Sequence, residues 1–145
     1  QHFLGAPDRV HAAGTLFPNG ADAGAAILMA YDDGRAASLV CSLQGESPGR
    51  AVVIGTGGSI ELVPRFHHPT RLVIRRNGQP VEEVELPATG RGYAHEIIEV
   101  GECLAQGRTE SAVMPLADTV AVQAVLQAAL EQLGVTPAED DTLVI

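Results

Sequence analysis

The chain has 145 residues, a formal net charge of −9 and a composition that is 46% hydrophobic but only 3% aromatic. This length suits one domain with a buried, largely aliphatic core, and the composition excludes a disordered chain. No apolar run approaches the 18 or so residues of a transmembrane helix. Because an acidic surface repels phosphate groups, we expect neither nucleic acid nor a membrane as a partner.

The basic residues and the cysteines limit the chemistry further. All nine basic residues are arginines, which excludes a Schiff base or a lysine general acid within this chain. Cys41 and Cys103 lie far apart and in no CxxC pattern, so we predict two buried free thiols rather than a disulfide. No signal peptide opens the sequence, and we expect a cytoplasmic protein.

The first half of the sequence has the pattern of β-strands joined by tight turns. Asp32-Asp33-Gly34 predicts a type I′ hairpin turn, and Asn77-Gly78 is the strongest hairpin signal in the chain. The predicted strands cover residues 9–17, 25–31, 35–43, 51–54, 59–63, 71–76 and 81–86. Short spacing and tight turns favour one antiparallel sheet of seven strands.

The second half is helical. Apolar residues recur at helical spacing over 92–106, and Gly107 ends that helix. A second helix begins at Pro115, ends at Gly134 and has a narrow polar stripe. Residues 136–145 are predicted to be a tail or a last edge strand. The order of elements predicts an α+β fold: an open-faced, predominantly antiparallel β-sheet with two helices packed on one face.

The sheet has apolar residues on both sides of its central hairpin. Segments 25–30 and 36–41 do not alternate cleanly with polar residues, although alternation is expected where one face meets water. Two helices can cover only one face. We therefore expect another subunit or another domain to cover the second face.

Three motifs suggest chemistry and each has a simpler explanation. Gly55-Thr56-Gly57-Gly58 lacks the third glycine of a dinucleotide fingerprint and opens no helix, so it predicts a turn between strands. His95 and Glu99 share a helix face and could bind a metal with a third ligand, but a polar helix face explains them as well. His67-His68 is predicted to be a surface loop that could contact a ligand.

The order of several motifs resembles the C-terminal domain of the Gfo/Idh/MocA family of NAD(P)-dependent oxidoreductases, in particular members of the dihydrodiol-dehydrogenase type. The resemblance spans almost the whole chain. The residues that carry it are Leu4-Gly5-Ala6-Pro7, Val10-His11-Ala12, Tyr31-Asp32-Asp33-Gly34-Arg35-Ala36, Ile54-Gly55-Thr56-Gly57-Gly58-Ser59-Ile60-Glu61-Leu62, Gly92-Tyr93-Ala94-His95-Glu96-Ile97-Ile98-Glu99-Val100, Cys103-Leu104, Gly107, Glu110-Ser111 and Met114-Pro115-Leu116.

The resemblance implies a two-domain parent protein whose N-terminal Rossmann domain, absent from this chain, holds NAD or NADP. Residues 1–145 would form the single C-terminal domain, whose open sheet face contacts a second subunit in a homo-oligomer. The family's catalytic Lys is missing here, and its acidic and His or Tyr positions precede Gln1. No catalytic, cofactor-binding or metal-binding residue is therefore assigned, and the fragment alone is expected to be inactive and to bind no cofactor.

The function implied is oxidation or reduction at a hydroxyl of a sugar, polyol or diol, with this domain contributing substrate-pocket and subunit contacts. Tyr93 and His67 are the residues we expect to contact substrate. Two alternatives stay open at this point. One is a standalone binding or scaffold domain without enzymatic activity, and the other is a metal-dependent hydrolase that uses His95 and Glu99.

Overall fold

A computed structural model describes residues 1–87, 89–90 and 92–135, and the predicted tail at 136–145 lies outside the described residues. Seven strands precede two helices. The elements are β1 (Arg9–Leu16), β2 (Asp22–Ala30), β3 (Ala36–Ser42), β4 (Ala51–Gly55), β5 (Gly58–Leu62), β6 (Arg71–Arg76), β7 (Glu82–Glu85), α1 (Ala94–Ala105) and α2 (Leu116–Leu133). The predicted order and number of elements are confirmed, and β2 begins three residues earlier than predicted.

The strands form two antiparallel sheets rather than the single seven-stranded sheet that we predicted. Sheet 1 has the order β1-β2-β3, and sheet 2 has the order β4-β5-β6-β7. The chain divides into two compact units: residues 1–46 with the chain from Ala112 onward, and residues Ser47–Ser111. The α+β class and the antiparallel pairing are confirmed. The hairpin signals at Asp32-Asp33-Gly34 and Asn77-Gly78 correctly specified the pairs β2–β3 and β6–β7, but no local signal specifies whether β3 and β4 pair.

In the first unit, α2 packs against β1 and β2. The Gln132 side chain fixes this contact, because its Oε1 accepts from the Ala12 backbone N–H at 2.9 Å and its Nε2 donates to the Val10 carbonyl at 3.0 Å. The buried residues at this contact are small: Ala23, Ala25 and Ala129. Small side chains allow the helix backbone to approach the sheet closely.

Among the described residues, no other element of this unit packs against the opposite face of sheet 1. We call it the open face of sheet 1. Register places alternate residues of each strand on it, and the two central residues of each strand are exposed. Leu28 is 45% exposed and Val40 is 75% exposed. The six central residues are His11, Ala13, Ala26, Leu28, Ser38 and Val40.

The β2–β3 turn differs from the predicted type I′ turn. A type I′ turn needs positive φ at both central residues, but Gly34 is the residue with positive φ (87°), and no described non-glycine residue has one. Gly34 N–H donates to the Tyr31 carbonyl at 3.0 Å. The turn is therefore a type I turn around Asp32 and Asp33, followed by a left-handed glycine that restores the strand twist.

In sheet 2, cross-strand ion pairs lie on both faces. Arg71 pairs with Glu83 at 2.7 Å and Arg75 pairs with Glu61 at 2.9 Å on one face, and Arg76 pairs with Glu82 on the other. Most of these side chains are half-exposed, so each pair contributes on the order of 0.5 kcal/mol. The first two pairs flank Val73, which is the buried residue of this sheet among the described residues.

Gly58 shows why the glycine-rich run serves a turn. It follows the β4–β5 turn, and a β-carbon added there would lie 1.9 Å from the Arg75 carbonyl oxygen. Only glycine therefore permits β6 to approach β5 at this point. The predicted turn between strands is confirmed.

The cysteine prediction is half right. Both thiols are free, and Cys103 is buried in α1, but Cys41 is exposed. Cys41 lies on β3, whereas the backbone of α2 packs most closely against β1. No helix in the described ranges is long and apolar enough to cross a membrane.

The close packing of α2 on β1 predicts the effect of enlarging Gly14. A β-carbon at Gly14 would lie 2.1 Å from the Gly24 carbonyl oxygen and 2.9 Å from Leu133 Cδ2. We expect Gly14→Ala to lower the free energy of unfolding by about 3 kcal/mol, measured by urea denaturation.

Gly101→Ala is the matched control, because nothing lies within 4 Å of the added methyl group on α1. That variant should be more stable than wild type by about 0.5–1 kcal/mol, owing to the lower helix propensity of glycine. Equal stability of the two variants would show that Gly14 is not at a tight contact.

Candidate functional site

The second unit contains a cavity of about 640 Å³ at the beginning of α1. One wall comes from the loop between β5 and β6, and the other comes from the chain that enters α1 and from the first turn of the helix. Gly90 and Gly92 have φ values of 64° and 83°, which let the chain turn sharply before the helix. The described lining residues are His67, His68, Gly90, Gly92, Tyr93, His95 and Glu96.

The two residues expected to contact substrate line this cavity together. His67 and Tyr93 are separated by 26 positions in the sequence, and the fold brings both to one concave surface. Tyr93 is the residue that precedes α1, and it is 72% exposed. Their contact with substrate remains a prediction, and the geometry identifies the cavity in which that contact would occur.

Three further polar residues line the cavity with them, and of these only His68 was predicted to lie beside His67, in a loop that could contact a ligand. His68 follows His67, and His95 and Glu96 lie in the first turn of α1, within three residues of Tyr93. The helical spacing of 93 and 96 could have suggested that Glu96 lies beside Tyr93. Nothing in the sequence could have placed the β5–β6 loop beside this helix.

The metal hypothesis pairs two residues that have different surroundings. His95 lines the cavity, whereas Glu99 interacts with the end of α1 and the chain beyond it. The part of the chain that the structure describes has no group of three or more His, Cys, Asp or Glu side chains placed to hold a metal ion.

Glu99 anchors α1 to the segment that follows it. Its Oε1 accepts hydrogen bonds from Ser111 Oγ at 2.6 Å and from Cys103 Sγ at 3.4 Å, and Arg108 Nη1 lies 3.7 Å away. The Ser111 hydrogen bond, then the Cys103 hydrogen bond, lowers the pKa of Glu99. Burial, then the hydrogen bond to Glu99, raises the pKa of Cys103, so the thiol remains a protonated donor.

The cavity is suited to binding hydroxyl groups. A neutral imidazole has one donor and one acceptor, a phenol has both, and a carboxylate accepts. The described lining supplies three imidazoles, the Tyr93 phenol and the Glu96 carboxylate. This mixture of donors and acceptors within one concave surface is what a ligand with several hydroxyl groups needs.

The fold identifies the structural class first. The structure aligns with the UDP-N-acetylglucosamine 3-dehydrogenase GnnA of Acidithiobacillus ferrooxidans with a TM-score of 0.69 and 22% identity, over 88% of this chain and 41% of that one. An oxidoreductase of Agrobacterium radiobacter in complex with NAD+, L-tartaric acid and magnesium gives a TM-score of 0.69 and 18% identity, over 90% and 42% of the two chains. At these identities the likeness shows a shared fold.

The sequence relatives are more specific. The trans-1,2-dihydrobenzene-1,2-diol dehydrogenases of Xenopus tropicalis and Mus musculus are each 32% identical to this chain, over 138 and 142 residues. These matches cover 90% and 92% of the chain but 41% of each relative. No family model matches the chain.

The resemblance inferred from the sequence is therefore confirmed. The chain is similar to dihydrodiol dehydrogenases over nearly its whole length, and its fold is that of Gfo/Idh/MocA oxidoreductases. It spans about two-fifths of the length of the curated relatives that it matches.

The lowered pKa of Glu99 predicts a pH-dependent contribution to stability. A carboxyl group whose pKa is lowered by folding stabilises the fold above its unfolded pKa, ordinarily 4.5 for glutamate, and this contribution is lost as the pH falls through the folded pKa. Glu99→Gln should therefore be less stable than wild type at pH 7, and the difference should shrink below about pH 4.5.

The measurement is urea denaturation at a series of pH values from 7 to 3. Glu102→Gln, an exposed change on the same helix, is the control and should follow wild type at every pH. If the difference in the free energy of unfolding between wild type and Glu99→Gln stays constant across this pH range, the proposed role of the ionised carboxylate is excluded.

Proposed function

We propose that this chain is the C-terminal domain of an NAD(P)-dependent oxidoreductase that acts on a hydroxyl of a sugar, polyol or diol. The observation that carries the proposal is the cavity beside α1, with its imidazole, phenol and carboxylate groups, in a chain similar to diol dehydrogenases. The domain would supply a wall of the substrate pocket, where these groups bind and orient the hydroxyls of the substrate.

The remaining parts of the reaction are proposed to belong to a domain outside this chain. NAD or NADP supplies hydride transfer between C4 of the nicotinamide and the carbon that bears the hydroxyl. The chain has no lysine to move the proton, and its glycine-rich run joins two strands of sheet 2 instead of opening a helix. Both features support a division in which an N-terminal Rossmann domain holds the cofactor and the catalytic residues.

The open face of sheet 1 supports a second role in subunit contact. Its exposed leucine, valine and alanine side chains would be covered by a second copy of the protein. Burying them would contribute about 25 cal/mol per Å² of apolar surface. The proposed location is the cytoplasm, which the two free thiols support, because exposed free cysteines are uncommon in oxidising compartments.

The proposed division of labour is tested by comparing the 145-residue chain with the complete protein encoded by its gene. We expect the complete protein to quench or enhance NADH fluorescence on binding and to reduce NAD+ or NADP+ with a cyclic vicinal diol. The 145-residue chain alone should do neither. Saturable micromolar binding of NADH by the chain alone would contradict the proposal, as would a complete protein that neither binds NADH nor oxidises any diol, polyol or sugar.

The proposed subunit contact predicts that a charge on the open face of sheet 1 weakens self-association. Val40→Glu should raise the dissociation constant of the complete protein at least tenfold in sedimentation equilibrium, because an unpaired carboxylate would have to be desolvated. Val81→Glu is the matched control at another exposed valine, outside both sheets. A monomeric wild-type protein, or equal effects of the two variants, would contradict this role.

A further inference from the structure

One polar atom at the cavity has no partner. Nε2 of His68 is shielded from solvent and makes no hydrogen bond to any described residue, although the His68 ring lines the cavity. Buried side-chain nitrogens are nearly always hydrogen-bonded in folded proteins, so an exception needs an explanation, and a ligand or an ordered water bound at the cavity would supply the partner. Backbone contacts hold the loop in place, since the His68 N–H donates to the Arg65 carbonyl at 2.9 Å.

Gly92 leaves room beside this part of the ring. A β-carbon added at Gly92 would lie 3.6 Å from His68 Cδ2, the ring carbon bonded to Nε2. The space beside this ring edge is therefore limited by backbone rather than by a side chain. Because χ2 of histidine is a soft torsion, a modest rotation of the ring can turn Nε2 toward the cavity without moving the backbone.

From these observations we infer that His68 is a substrate-binding residue, whose Nε2 forms a hydrogen bond with one hydroxyl of a neutral vicinal diol. The inference rests on the proposed function and adds to it the residue that distinguishes a diol from a simple alcohol. His67 and Tyr93 were expected to contact substrate, whereas His68 was expected only to belong to a loop that could contact a ligand.

A hydroxyl is the group that this nitrogen recognises best. A hydroxyl both donates and accepts, so it can pair with Nε2 whether that nitrogen carries the proton or not. A ligand that lacks the hydroxyl would leave Nε2 unpartnered, and sites built around a hydrogen bond reject such ligands far more strongly than apolar sites do.

The experiment is a cycle of two ligands and two proteins. Binding of trans-cyclohexane-1,2-diol and of cyclohexanol to the complete protein is measured by isothermal titration calorimetry, for wild type and for His68→Leu. We expect wild type to prefer the diol about tenfold and His68→Leu to lose that preference. His68→Gln, which can place an amide nitrogen near the position of Nε2, should retain part of it. Gln79→Leu, an exposed change in the β6–β7 turn, is the control and should match wild type.

The outcomes separate this inference from the proposed function. If the diol binds and His68→Leu keeps the full preference for it, the role of His68 is wrong and the proposed function stands. If no diol, polyol or sugar binds the complete protein, the proposed function fails and the inference fails with it. Circular dichroism shows whether His68→Leu is folded. If it is not, His68→Gln alone decides. A preference of His68→Gln for the diol that is below that of wild type supports the role of His68, and an unchanged preference together with unchanged affinity for both ligands overturns it.

Discussion

The packing of α2 on one face of sheet 1 is the contact on which the first unit depends. The buried residues there are alanines, so the helix approaches the sheet closely but buries little apolar area per residue. The larger aliphatic side chains at this contact, which include Ile27, Met29 and Val122, are only partly buried. Leu28 and Val40 are on the open face of sheet 1. A three-stranded sheet covered on one side by one helix leaves half of its apolar surface for another partner. This is the physical reason for proposing that the domain works within a larger assembly.

The second unit places its polar residues in a different way. Glycines before α1 and the loop before β6 form the cavity, while the hydrogen bonds of Glu99 fix the other end of the same helix. The ion pairs of sheet 2 keep its charged face paired, so that its charges do not depend on a ligand. The histidines of the cavity have no such pairing in the described residues, and this difference supports a binding role for the cavity.

Much of the fold followed from local signals in the sequence. The Asn77-Gly78 turn, the glycine run before β5, Pro115 and Gly134 mark the ends of elements, and the structure confirms each boundary within a few residues. The partition into two sheets did not follow, because pairing between β3 and β4 depends on contacts that no turn specifies. The exposure of Cys41 was missed for a related reason: the pattern of a strand does not show which strand the helix packs against most closely.

The candidate site was predictable only in part. His67 and Tyr93 could be proposed as ligand-contacting residues from the resemblance and from their loop positions, yet their common cavity with His68 and Glu96 requires tertiary contacts. The lone nitrogen of His68 is a property of packing, and a sequence pattern cannot show whether a histidine finds a partner. The sequence therefore indicated the class of chemistry, while the structure indicated which side chains to test.

The central claim is that the open face of sheet 1 is buried when the protein is complete. Within residues 1–145, introducing Leu28→Cys together with Cys41→Ser leaves position 28 as the exposed thiol, since Cys103 is buried. Its rate of alkylation by a small maleimide can be compared between the complete protein and the 145-residue chain at high dilution. The account predicts at least a hundredfold slower reaction in the complete protein. Equal rates in the two would contradict it, because they would show that the face is open to water in both.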